Sequence, residues 1–252
     1  MTTTPRPFDL SEWPDPRSAV VFLDFDGTLV ELAETPDGIT VPDALPGLLE
    51  RVADAVGGRL HLVSGRDVSA IARFLPGFGG DIHGGHGAQA RIDGEMRRHP
   101  MSGGDEVRQA QDRARAFASA RDGVTAELKD AGAVLHYRQA PAEGAAVAEF
   151  MQAEAAKVPR FEAHGAKMAV ELKPQDASKG GVVERVLRDH PDGRTLVLGD
   201  DATDEPAMAA ANARGGMSVK VGEGESCALQ RLDGPAAVHR ALAEWIEGKR
   251  NV

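Results

Sequence analysis

Residues Val20-Val21-Phe22-Leu23 are apolar without interruption, and the run stops at Asp24-Phe25-Asp26-Gly27-Thr28. A strand that is apolar at every position, rather than at alternate ones, is buried on both faces. That is the condition of a central strand in a parallel sheet covered by helices. The run predicts such a strand over roughly residues 19–24. Acids at the carboxyl end of a buried parallel strand stand where open α/β sheets bind their ligands. Side chains two apart on extended backbone point the same way, so Asp24 and Asp26 share a side. Gly27 lets the chain turn sharply after them. Two close carboxylates repel, and such a site needs a cation or a shared proton.

The periodicities on either side extend this pattern. A helix is predicted near Val41–Val56, with Leu45, Leu48, Leu49, Val52 and Val56 on one face, closed by Gly57-Gly58. The strand Arg59–Val63 follows, ending in Ser64-Gly65-Arg66, and a second amphipathic helix opens at Asp67. This is β-α-β-α, the signature of a parallel sheet. After a Gly-rich stretch, Gly77–Gly87, the texture changes. Residues 103–173 read as helix (105–120), strand (124–128), strand (133–138), helix (141–157), strand (160–164) and strand (167–173). Hairpin turns are expected at Lys129-Asp130-Ala131-Gly132 and His164-Gly165-Ala166. Beyond Pro174 the first texture resumes, through a helix with Val182, Val183, Val186 and Leu187, strands at 195–198 and 217–221, and a last helix over 236–247. The expected fold is α/β: a doubly wound parallel-sheet, Rossmann-like core (18–102 and 174–252) with an inserted α+β cap domain (103–173). Residues 1–17 are expected to be a disordered or surface-draped arm. Gly103-Gly104 is expected to act as a hinge for cap closure.

Composition narrows the function. The chain has 252 residues and a net charge of −10, which argues against non-specific nucleic-acid binding and against an anionic membrane surface. A phosphate ligand stays compatible, because a metal ion reverses the local sign. Cys227 is the only cysteine, so no internal disulfide forms and a reducing cytoplasm is expected. Met1–Pro16 is polar, which predicts no signal peptide, and no apolar run is long enough to span a bilayer.

Four groups of residues fall at predicted element ends: Asp24 with Asp26, Ser64 with Gly65, Lys179 just ahead of a helix, and Asp200, Asp201 and Asp204 after a strand. Each has an ordinary explanation taken alone. Ser-Gly is a common turn, Lys179 a common solvated helix start, and Asp200–Glu205 a common helix N-terminus. Together, in a doubly wound sheet, strand ends far apart in sequence converge. The set suits phosphoryl transfer, in which positioning and charge stabilisation carry most of the barrier. A carboxylate can serve as nucleophile, a second acid can protonate the leaving alkoxide, and magnesium takes carboxylate oxygens. His83 and His86 have neither an HExxH motif nor a cysteine cluster beside them, so zinc is not indicated.

In these residues the chain resembles the haloacid dehalogenase-like phosphatases, whose first signature is Asp-x-Asp-Gly-Thr after an apolar strand. It resembles more narrowly the trehalose-6-phosphate phosphatases. The matching segments are Leu23–Leu29, Ser64-Gly65-Arg66, His86-Gly87-Ala88, His136-Tyr137-Arg138, Glu171-Leu172-Lys173-Pro174 with Lys179-Gly180, and Gly199–Glu205. The resemblance implies a magnesium-dependent sugar-phosphate phosphatase acting through an aspartyl-phosphate. It implies Asp24 as nucleophile and metal ligand, and Asp26 as general acid/base with its backbone carbonyl on the metal. Asp200 would be a further ligand, supported by Asp204. Ser64, Gly65 and Lys179 would hold the phosphoryl group, and Thr28 would position Asp26. Arg66, His86, Gln89, Glu171 and Lys173 would contact the sugar. Functional coupling to a trehalose-6-phosphate synthase is implied as well. One position departs from the family pattern: Gln89 stands where an acid is usual. Rival readings are a phosphatase of sucrose 6-phosphate or of a glycosylglycerate phosphate, a phosphomannomutase-like isomerase, and a phospho-accepting receiver domain. The receiver is disfavoured by the length of the chain and the insertion.

Overall fold

In the computed structural model, which describes residues 4–33, 35, 37–166 and 168–248, the apolar run is a strand flanked on both sides by parallel neighbours. Residues 1–3 of the expected arm, Lys167 of an expected strand and the last four residues of the expected core lie outside the described residues. The elements in chain order are β1 (Arg6–Pro7), β2 (Ala19–Leu23), α1 (Leu45–Ala55), β3 (Leu60–Val63), α2 (Val68–Phe74), β4 (Asp81–Gly84), β5 (Gln89–Ile92), β6 (Glu95–Arg98), α3 (Asp105–Ser119) and β7 (Thr125–Lys129). They continue with β8 (Gly132–His136), α4 (Gly144–Ala155), β9 (Phe161–Ala166), β10 (Ala169–Pro174), α5 (Lys179–Asp189), β11 (Arg194–Gly199), α6 (Glu205–Ala213), β12 (Met217–Val221), β13 (Gln230–Leu232) and α7 (Pro235–Gly248). The chain divides into two compact units, Met1–Arg97 with Ser178–Val252, and Arg98–Ala177.

The first unit is built on a sheet that has nine strands among the described residues, in the order β1-β13-β12-β11-β2-β3-β4-β5-β6. The strands from β1 to β4 pair in parallel, while β5 runs antiparallel to β4. The sheet is therefore mixed and mostly parallel. Alternate residues of β2 feed two cores. Ala19, Val21 and Leu23 pack in the cluster that includes residues of α1, α2 and α7, and Val20 and Phe22 in the one that includes residues of α5 and α6. Burial on both faces explains the continuous apolar run. Chain order reverses between β2 and β11, which makes their carboxyl ends the switch point where such sheets bind ligands. In register, Leu23 lies beside Leu198 on one side and Leu62 on the other, so the residues just past these strands share one end of the sheet.

The described part of the arm is ordered. Arg6 and Pro7 pair with β13, and Trp13 is buried edge-on against Trp245 with ring centroids 5.7 Å apart. The Trp245 indole donates to the Pro14 carbonyl at 2.8 Å. The arm is draped as a fixed strap rather than disordered. The Gly-rich stretch, for which no element was predicted, contains β4, and Gln89 opens β5 just after it.

The second unit runs α3-β7-β8-α4-β9-β10, so the helix-strand-strand repeat is present twice. Its sheet is antiparallel throughout, in the order β7-β8-β10-β9. Ala133, Leu135, Val170 and Leu172 pack with Val107, Ala110, Ala114, Val147 and Met151 of the helices in a separate core. The second hairpin turns later than expected. His164, Gly165 and Ala166 are strand, β10 begins at Ala169, and Met168 takes a left-handed φ of 58°. Gly103-Gly104 falls inside this unit, where Gly104 is the N-cap of α3. Met101 belongs to the unit's core and His99 pairs with Asp176, so the unit starts ahead of the expected hinge.

Candidate active site

All residues of the expected phosphoryl site that come from the parallel sheet lie in the first unit. Asp24 follows β2 and is buried. Lys179 is the first residue of α5, and its helix start is fixed by Ser178, whose hydroxyl accepts from the Gly181 amide at 3.0 Å. Gly180 has no room for a side chain: a Cβ there would lie 2.8 Å from Pro206 at the start of α6. Close approach of α5 and α6 brings Lys179 Nζ to 2.7 Å from both Asp24 Oδ1 and Asp204 Oδ1. The other oxygen of Asp204 accepts from the amides of Asp200 and Asp201, each at 3.2 Å. Asp204 thus folds the acidic loop back on itself, and both of its oxygens are engaged. Asp24, Asp200 and Asp204 present carboxylate oxygens within 4.8 Å of one another.

The electrostatics of this cluster suit a cation or a shared proton. Burial pushes Asp24 up to about 7 against the pull of Lys179, with Asp200 adding to the rise. Burial also lifts Asp200 to about 6, and burial with repulsion from Asp24 lifts Asp204 to about 8. Burial opposes the charge on Lys179, yet Asp24, Asp204 and Asp201 together hold its pKa above the ordinary lysine value. One ammonium does not satisfy three converging carboxylates, and an all-oxygen donor set suits a hard divalent cation such as magnesium.

The Asp26 side chain stands outside that cluster. Arg66 Nε and Nη2 clasp its two oxygens at 2.6 and 2.7 Å. The guanidinium also lies over the Phe74 ring, 5.1 Å from its centroid. Just after Asp26, Gly27 takes φ +75°, and a Cβ there would overlap the Asp200 carboxylate. Ser64 is buried just past β3, with its hydroxyl accepting from the Arg66 amide at 3.1 Å. The His86 backbone is left-handed, at φ 55°, and its amide donates to the Ser64 carbonyl. Its ring comes within 2.8 Å of where a Cβ of Gly65 would be. Such strain in a non-glycine residue concentrates at functional sites. Thr28 was expected to position Asp26, but its hydroxyl is buried with no hydrogen-bond partner among the described residues. Gln89 was expected to offer donor and acceptor to a sugar. Its side-chain oxygen instead accepts from the Val68 amide at 3.1 Å, at the start of α2, where the N-cap Asp67 makes no side-chain bond. Glu171 and Lys173 stand on β10 in the second unit, on the sheet face turned away from that unit's apolar core.

The family model described as Trehalose-phosphatase matches residues 22–233, most of the chain. The chain belongs to the trehalose-phosphatase family. It is thereby a phosphoric monoester hydrolase. A relative from Escherichia coli (strain K12), described as a trehalose-6-phosphate phosphatase, is 36% identical over 230 residues, covering 90% of this chain and 84% of the relative. A probable trehalose-phosphate phosphatase of Sinorhizobium fredii is 34% identical over 217 residues, covering 85% of this chain and 79% of the relative. In fold, the C-terminal domain of a C. albicans trehalose-6-phosphate phosphatase superposes with a TM-score of 0.79 at 22% identity, over 98% of this chain and 99% of that one.

Two further groups of polar residues stand out in the structure, of which only His136 lies in a motif singled out from the sequence. One lies in the second unit, where Glu127 bonds His136 at 2.9 Å and pairs with Lys129, and stands in register with Val134 and Glu171. The hydrogen bond from His136, with Lys129 beside it, draws Glu127 down to about 2. Alternation along Thr125–Lys129 is the signal that separates this polar face from the core face. The other is Lys220 on β12, a buried ammonium that donates to the Asp200 carbonyl.

Proposed function

We propose that this chain hydrolyses trehalose 6-phosphate to trehalose and phosphate through an aspartyl-phosphate on Asp24, with magnesium as the metal. The observation that supports it most is the buried Asp24–Lys179–Asp204 arrangement, with Asp200 in the same cluster, inside the span matched by the family model. Asp24 attacks the phosphorus. The bond to the sugar oxygen breaks, and Asp26, once it has left the Arg66 clasp and taken up a proton, gives that oxygen a proton so that trehalose leaves as the alcohol. Asp26, now a carboxylate, takes a proton from the water that attacks the phosphoryl-Asp24 bond, and phosphate departs with both groups restored. Lys179, Ser64 and the Gly65 amide hold the non-bridging oxygens through both halves. Held by Asp24, Asp200 and the Asp26 carbonyl, magnesium would neutralise charge on the phosphoryl group.

Glu171, Lys173, His86 and the amide nitrogen of Gln89 are proposed as contacts for sugar hydroxyls, and Glu127 and His136 join them on the ground of their shared sheet face. The substrate is a glycosylated hexose phosphate, so a glycosyl transfer must precede this reaction, which supports coupling to a synthase. One cysteine and no disulfide support a cytoplasmic setting. Among the described residues no helix is long and apolar enough to cross a membrane.

Phosphate release from trehalose 6-phosphate, sucrose 6-phosphate, glucose 6-phosphate and mannose 6-phosphate, with magnesium and with chelator, tests this reading. Trehalose 6-phosphate should be preferred, with release lost on chelation. Equal release from sucrose 6-phosphate, or phosphate migration without release, contradicts it.

A further inference from the structure

Asp200 opens the acidic loop that follows β11, and its backbone is fixed at both ends. Its amide is bound by Asp204. Its carbonyl accepts from Lys220 Nζ, which also donates to the Val221 carbonyl at 3.1 Å. Lys220 is 5% exposed and lies next to Gly199 in the β11–β12 register, so its ammonium ends beside the start of the acidic loop. The contrast with Lys179 is informative. Lys179 is equally buried and bonds two carboxylates, whereas the partners of Lys220 are carbonyls, with no carboxylate pairing among the described residues. A buried cation is costly unless its hydrogen bonds are well made. The Lys220 charge is felt at Glu205, but its hydrogen bonds go to the two carbonyls, so it fixes the geometry of what it holds.

We infer that Lys220 is a positioning residue for the metal-binding carboxylate of Asp200. It clamps the Asp200 carbonyl while Asp204 holds the amide and Gly27 leaves the carboxylate its space. The inference rests on the proposed metal role of Asp200. It makes a prediction whose sign separates positioning from simple charge balance. Removing a positive charge from beside a cation site tightens cation binding if charge alone matters, because the repulsion is gone. Removing a clamp loosens it, because the ligand loses its preorganisation.

Calorimetric titration of the full chain with magnesium, and with manganese as a second probe, reads this directly. Lys220→Met should weaken cation binding about tenfold or more, and Lys220→Arg, which can still donate to both carbonyls, should stay within about threefold of wild type. The magnesium needed for half-maximal turnover should rise in step. KM for trehalose 6-phosphate at saturating magnesium should stay within about twofold, a split that general loosening of the fold would not give. Cation binding by a folded Lys220→Met equal to or tighter than wild type overturns the inference. If that variant does not fold, Lys220→Gln is titrated instead, and binding as tight as wild type overturns it equally. A wild-type protein that binds no divalent cation overturns the metal reading and this inference together. A wild-type protein that binds, with a variant that binds as well, overturns this inference alone.

Discussion

Arg66 is the residue whose surroundings most alter its role. By resemblance it would touch the sugar, yet in the structure its fork is spent on Asp26, both oxygens of which it holds within 2.7 Å, and its plane is fixed over Phe74. A bidentate grip fixes both the direction and the rotation of a carboxylate, which a lysine cannot do. The expected consequence is that Arg66→Lys lowers kcat about tenfold or more and leaves KM for trehalose 6-phosphate within about threefold, because the loss falls on proton transfer rather than on binding. Steady-state kinetics across substrate concentration checks it. A KM that rises while kcat holds would restore Arg66 to the sugar. That Asp24, Lys179 and Asp200 would meet at one end of a parallel sheet was legible from residue type and position alone, since charged residues at successive strand ends of such a sheet converge. Their partners were not. Nothing in Asp67 to Gln89 signals that the Gln89 side chain caps α2, and Lys220 reads only as a polar residue in a short strand.

At the scale of elements, β3 and β4 bring together a pair of buried imidazoles. His61 Nδ1 lies 3.3 Å from His83 Nε2 and 3.4 Å from Asp81 Oδ2, and the His61 ring stacks on Phe22. Burial draws His61 down to about 4, and burial with the neighbouring His61 and Arg185 draws His83 down to about 3. The folded protein therefore keeps both rings neutral where an unfolded chain, with histidine near 6.5, takes up protons. Between those values the unfolded state binds more protons, so stability is intact above about pH 6.5 and falls as the pH drops. By pH 5 the loss should approach about 2 kcal/mol per histidine. The raised carboxylates Asp24, Asp200 and Asp204 act the opposite way, so urea denaturation at pH 7.5 and at pH 5 is compared between wild type and His61→Phe, which should lose less stability on acidification. The same pH dependence in both proteins would mean that the His61 ring is not held neutral in the fold. The same region shows why some elements escaped the sequence. Asp81-Ile82-His83-Gly84 has a single aliphatic side chain, and its strand exists because β3 offers it a parallel edge. Strand β1 has two residues and depends wholly on β13. By contrast, the twice-repeated helix-strand-strand unit was readable because alternation and helical spacing are local patterns.

For the whole molecule, the two units carry different sets of polar residues. The parallel unit collects acids, a lysine and a serine at one end of its sheet, from segments as far apart in sequence as Asp24 and Asp204. The antiparallel unit carries a charged sheet face built from Glu127, Lys129, His136, Glu171 and Lys173. Family membership joins these into one phosphatase, and the account then depends on one atom group, the carboxylate of Asp24. Its decisive test is the rate of phosphate release from trehalose 6-phosphate at saturating magnesium, compared between wild type and a folded Asp24→Asn. Turnover by the wild type and a loss of at least about a thousandfold in the variant are expected, since an amide cannot form the phosphoryl intermediate. An Asp24→Asn protein that releases phosphate at the wild-type rate would contradict it.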